Sequence, residues 1–168
     1  MILIGIGSNL PSDYGPPRET CAAALEALAQ EPLTVVARSR WYRSAPVPLS
    51  DQPWFVNGVA AVETGLDPVA LLAVLHRLEA AYGRPPPEAR AGTPNAARTL
   101  DLDLLAYDAA IREGPEPPIL PHPRMAGRAF VLLPLREIAP DWRHPASGET
   151  LAALIEALGG DSIVQPID

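Results

Sequence analysis

"RTLDLDLLAYD", Arg98 to Asp108, alternates leucine and aspartate through Leu100, Asp101, Leu102, Asp103 and Leu104. A period of two marks a strand, because successive side chains leave opposite faces of the backbone. Leu100, Leu102 and Leu104 then form a core face, and Asp101 and Asp103 project side by side from the other. Two adjacent carboxylates repel, and burying both unpaired is costly, so the pattern calls for a cation between them. Magnesium suits: it takes oxygen ligands, is commonly held by one or two carboxylates, and completes its shell with water and phosphate oxygens. A bare D-x-D is equally compatible with a strand edge turned to solvent.

Working outward, residues 1–8 are β-like and run into the turn residues of "GSNLPSDYGPP". A helix is expected over 17–30, with Cys21 as a core residue on its apolar face. Residues 33–44 are rich in β-branched types and read as a strand. "APVPLSDQPW" follows as a loop whose prolines lock its shape, and residues 55–65 read as a second, antiparallel strand with Phe55 and Asn57 on one face. Asp67 is a good N-cap and Pro68 a good first helical residue; Leu71, Leu72, Leu75 and Leu78 make the stripe and Gly83 the stop. Residues 83–97 hold little that is apolar and read as a lid carrying arginines. Beyond the D-x-D strand lie a turn region, a short helix around "RAFVLLPLREIAP" with Pro134 inside it, and a last amphipathic helix ending at Gly159. Two helices threaded among strands in βαββαβ order predict an α+β fold of ferredoxin-like type, a mainly antiparallel sheet covered on one side by helices, plus short C-terminal helices, all in one domain over residues 1–168.

Composition narrows the chemistry. The net charge of −7 over 168 residues disfavours nucleic acid or an anionic membrane as the main partner. All 13 basic side chains are arginine. A Walker phosphate loop or a Schiff base, both of which need lysine, is therefore excluded. One cysteine allows no internal disulfide. No apolar run approaches the roughly 20 residues that span a bilayer, and the apolar start reads as a strand rather than a signal peptide, so the expectation is a cytoplasmic monomer acting on small molecules. Arg98 beside the aspartates, with His122 and Arg128 downstream, outlines a magnesium-dependent phosphoryl-transfer site in which guanidinium groups bind phosphate oxygens.

Four segments in order, "IGIGSNL", "WYRSAPV" with "DQPWFVNGVAAVET", "RTLDLDLL" and "LPHPRMAGRAFVLLPLREIAPD", resemble the 6-hydroxymethyl-7,8-dihydropterin pyrophosphokinase family of folate biosynthesis. The resemblance implies transfer of the β,γ-diphosphate of ATP to the pterin hydroxymethyl group with release of AMP, and two Mg2+ ions held by Asp101 and Asp103. It implies a pterin pocket made of Ser44, Ala45, Pro46, Val47 and Asn57, with Phe55 and Phe130 stacking on the ring. His122, Arg128 and Arg98 are matched to ATP binding, His76 to a polar position facing the nucleotide, and Arg84 with Arg98 to arginines that close on the phosphates. The chain departs from the family at "NAA", Asn95 to Ala97, where many members have a tryptophan and Gly-Pro. Two other readings remain at this point: a metal-dependent phosphodiesterase or nuclease using the same aspartates, and a non-catalytic binding module.

Overall fold

The computed structural model describes residues 1–46, 49–83, 99–160 and 162–167. The expected order is present: β1 (Ile2–Ser8), α1 (Pro17–Leu28), β2 (Leu33–Arg38), β3 (Tyr42–Ser44), β4 (Phe55–Thr64), α2 (Pro68–Ala81) and β5 (Asp101–Tyr107). A 3-10 turn (Met125–Gly127), α3 (Ala129–Ile138), α4 (Leu151–Glu156) and a closing strand β6 (Val164–Pro166) follow. The strands lie in the order β5-β1-β4-β3-β6, with β2 also on β4, and every pairing is antiparallel.

Local chemistry explains the elements that frame the site. Asp67 caps α2 by accepting from the Ala70 amide at 2.8 Å, with Pro68 in the first turn. Gly83 lies just past the end of α2 at φ +88°, the left-handed region where a side chain is strained. Leu71, Leu75 and Leu78 are buried. Burial of each such side chain is worth about 1.5–3 kcal/mol against leaving it in water.

Alternation along the strands sorts residues into two layers. Ile2, Ile4 and Ile6 of β1 join Leu100, Leu102 and Leu104 under α1 and α2, as the leucine face predicts. Leu3, Val59, Ala61 and Leu105, on the opposite face, pack against Val131, Leu132 and Leu135 of α3 and Leu151 and Leu154 of α4. Both faces are therefore covered, not the single face expected. Short helices late in the chain give no sequence cue to which side of a sheet they take, and α3 and α4 take the side that α1 and α2 leave open.

The expected strand over 33–44 is broken into β2 and β3. At the break Ser39 donates its amide to the Val59 carbonyl and accepts from the Val59 amide at its Oγ, while Trp41 dives to 3% exposure beside Gly58. A Cβ at Gly58 would meet the Trp41 ring at 2.6 Å, so glycine there makes room for the indole. Pro134 lies inside one continuous helix, α3, and is itself buried. The three-residue β6 was not foreseen, since so short a segment shows no period.

Candidate active site

Register builds the site. Gly7 of β1 lies opposite Asn57 of β4 on one side and Asp101 of β5 on the other, and Gly5 lies opposite Asp103. Directly paired residues share a face, so Asn57, Gly7, Asp101 and Asp103 all look out on the α3 side. A Cβ at Gly7 would stand 2.9 Å from Asn57 Nδ2, so the bare glycine is what lets that amide lie across β1. On β3, Ser44 Oγ donates to Asn57 Oδ1 at 2.6 Å, both residues being buried. With its carbonyl oxygen so engaged, Asn57 keeps its NH2 donors for the open side.

Where α3 begins, a cavity of about 520 Å3 opens against this part of the sheet. Gly7, Ser44, Ala45, Pro46, Phe55, Asn57 and Asp101 line its floor and one wall; Pro123, Arg124, Gly127, Arg128, Ala129 and Phe130, at the entry to α3, line the roof, and Ser162 closes a further side. Arg128 Nη1 stands 3.8 Å from Asp103 Oδ2, and its guanidinium lies over the Phe130 ring at 5.3 Å. Both members of that ion pair are partly exposed and 3.8 Å apart, so solvent screens the pair and its contribution is small.

His122 is tied to β5 by its amide, which donates to the Leu105 carbonyl at 2.8 Å. Its pKa is lowered to about 4, first by burial and then by the positive charges of Arg128 and Arg124, with Asp101 opposing. The imidazole is therefore neutral near pH 7. Nδ1 accepts from the Arg124 amide at 3.2 Å, which leaves the proton on Nε2 as a donor. Glu79 of α2 is 5% exposed and accepts from the Leu102 amide at 2.8 Å. That amide lies between the two aspartates, so a buried carboxylate on the helix holds the strand that presents them.

The donor set fits a hard cation. Asp101 and Asp103 offer oxygen ligands from one strand face and are partly exposed, while the described residues contain no group of three or more His, Cys, Asp or Glu that could enclose a metal. Two carboxylates with open positions are what magnesium uses when it is shared with phosphate; zinc would want nitrogen or sulfur ligands.

Over residues 3–140 the sequence matches the family model of 7,8-dihydro-6-hydroxymethylpterin-pyrophosphokinase, HPPK. The chain belongs to the HPPK family. Among HPPK relatives, the 2-amino-4-hydroxy-6-hydroxymethyldihydropteridine pyrophosphokinase of Pseudomonas aeruginosa is 43% identical over 157 residues, 93% of this chain and 90% of that protein. The protein of the same name from Methylorubrum extorquens is 42% identical over 161 residues, 95% of this chain and 94% of its own. The fold resembles solved HPPK-DHPS structures: one in complex with substrates (TM-score 0.67, 13% identity, 93% of this chain and 42% of that one) and wild-type Plasmodium falciparum HPPK-DHPS (TM-score 0.67, 12% identity, 92% and 40%).

Within this HPPK chain, Ser44, Ala45, Pro46, Phe55, Asn57, Phe130, Asp101 and Arg128 meet at the cavity, with Asp103 beside Arg128. His122 is not among the lining residues, but it lies close enough to Arg128, Arg124 and Asp101 for their charges to act on it. His76 is exposed on α2 and does not line this cavity. Val47, Arg84, Arg98 and the expected lid lie outside the described residues. Sequence reasoning missed Gly7, Arg124, Glu79 and Ser162 as parts of the site. Arg124 had a signal in its "PHPR" context, and Glu79 had one as a carboxylate at the edge of an apolar stripe; Gly7 and Ser162 had none without the strand pairing.

Proposed function

We propose that this chain is an ATP-dependent diphosphotransferase of folate biosynthesis, moving the β,γ-diphosphate of ATP to the hydroxymethyl group of 6-hydroxymethyl-7,8-dihydropterin and releasing AMP. The observation that carries the reading is the cavity itself. The Ser44–Asn57 polar pair with Phe55 and Phe130 is fit for a flat hydrogen-bonding heterocycle; Asp101, Arg124 and Arg128, the last lying over the Phe130 ring, are fit for the polyphosphate beside it.

The ring stacks against Phe55 and Phe130, and the Asn57 NH2 donates to an acceptor on its edge. The substrate's own hydroxyl attacks the β-phosphorus, forming the new O–P bond as the bond to the AMP oxygen breaks; its proton passes to solvent or a phosphate oxygen. No protein nucleophile is required. Arg128 and Arg124 bind phosphate oxygens, and His122 donates from Nε2 without adding charge. Asp101 and Asp103 would hold two Mg2+ ions, which neutralise phosphate charge in the transition state. Residues 1–168 act as one domain, a cytoplasmic monomer whose partners are small molecules; the −7 net charge, which disfavours polyanionic partners, supports the absence of nucleic acid from that set.

The test is AMP release from ATP with and without the pterin alcohol. Release that depends strictly on the pterin is expected. Hydrolysis without it would favour a phosphodiesterase, and no turnover a binding module. Asp103→Ala should lower the rate by several orders of magnitude; near-normal turnover would sink the metal assignment.

A further inference from the structure

Ser162 lines the same cavity as Ser44, Ala45 and Pro46, yet it lies beyond residue 140, where the family match ends. The chain returns to the sheet there as β6. Val164 lies opposite Ser44, and the Ala45 amide donates to the Ile163 carbonyl at 3.2 Å. That bond occupies the Ala45 N–H, so the tail anchors the loop whose other groups face the ring. A second bond, from the Ile167 amide to the Trp41 carbonyl at 3.0 Å, holds the far end of the tail.

Strand order gives Ser162 its place along the cavity. The sheet runs β5-β1-β4-β3-β6, so Asp101 stands on one edge strand and Ser162 adjoins the other, with Gly7, Asn57 and Ser44 between. Four strand spacings of about 4.8 Å separate the edges by roughly 19 Å. With phosphate at the β5 end, the ring points its far edge toward β6. We infer that Ser162 forms the wall against the end of the pterin ring furthest from the reacting hydroxymethyl group and so determines which ring edge fits. A serine suits that position because its hydroxyl both donates and accepts, as the mixed amino and carbonyl edge of a pterin requires. The inference rests on the function proposed above.

The test is binding of 6-hydroxymethylpterin to the full chain in the presence of Mg2+ and a non-hydrolysable ATP analogue, with the affinity for that analogue measured separately. Ser162 is exposed enough that Ser162→Trp should melt like the unmodified protein. It should weaken pterin binding at least tenfold while leaving nucleotide affinity within twofold. Gln165→Trp is the control, since Gln165 is exposed on β6 and does not line the cavity; it should leave pterin binding unchanged. Undiminished pterin binding by Ser162→Trp, or equal losses for pterin and nucleotide, or an equal effect of Gln165→Trp, would overturn the inference. Failure of the unmodified chain to bind the pterin would overturn the functional reading itself, and is told apart by appearing before any substitution.

Discussion

Gly7→Ala is the sharpest probe of how the site is built. The added methyl would stand 2.9 Å from Asn57 Nδ2, where ordinary contact begins at 3.4 Å. Apart from half-buried Gly5, β1 is buried, and Ile2 to Gly7 are paired on both sides, so the Asn57 amide is what must give. It is 7% exposed and its Oδ1 accepts from Ser44 Oγ at 2.6 Å. Turning it away breaks a buried hydrogen bond and strands a polar group, at a cost of about 1–3 kcal/mol. For a chain of this size that lowers the melting temperature by roughly 2–12 °C. If the same rotation withdraws the NH2 from the ring at a similar cost, KM for the pterin rises by about 5- to 140-fold, since 1.4 kcal/mol is a factor of ten. KM for ATP should stay within twofold. Thermal melting and steady-state AMP release measure both quantities. The decisive control is the double-mutant cycle with Asn57→Ala: with no amide to strike, Gly7→Ala should add little to the Asn57→Ala defect. Full additivity, or a Gly7→Ala protein with unchanged melting and unchanged pterin KM, would refute the argued contact.

Three further outcomes follow from the same geometry. Glu79→Ala leaves the Leu102 amide buried without its acceptor and should cost about 1–3 kcal/mol in urea unfolding, with weaker Mg2+-nucleotide binding because that amide lies between the aspartates; Glu79→Gln, which keeps an acceptor, should recover most of both. His122 titrates at about 4 in the folded protein against 6.5 for the free side chain. Between those values the unfolded chain holds more protons, so His122 reduces stability as pH falls through this window; an NMR titration should find no His122 transition near pH 6.5, and His122→Ala should flatten the slope of stability against pH. The Cys21 thiol is fully buried, with its pKa pushed up to about 12 by burial, so a thiol reagent should react only at the rate of unfolding, and fast labelling of the native protein would contradict the placement of α1.

Much of the architecture was legible because periodicity encodes a face. Leu100, Leu102 and Leu104 turn inward and the aspartates between them turn out, and Asp67 and Pro68 start α2 where their chemistry says they should. What periodicity leaves open is either too short to show a period, as β6 is, or set by long-range packing. The break between β2 and β3 depends on Trp41 finding space over Gly58, seventeen residues away, and no local pattern signals that vacancy.

By itself, then, the sequence determined most of the elements, though not the break between β2 and β3 nor β6, together with the outward aspartate pair, the need for arginine or metal in place of lysine, and, through four ordered segments, the family. Tertiary structure alone decided that Gly7 separates Asn57 from Asp101, that Glu79 holds the amide between the aspartates, and that a tail strand brings Ser162 to the cavity. The physical reason is that a strand's period states which way a side chain points but not which strand lies beside it; that second fact is set by long-range pairing, and the chemistry of this cavity depends on it.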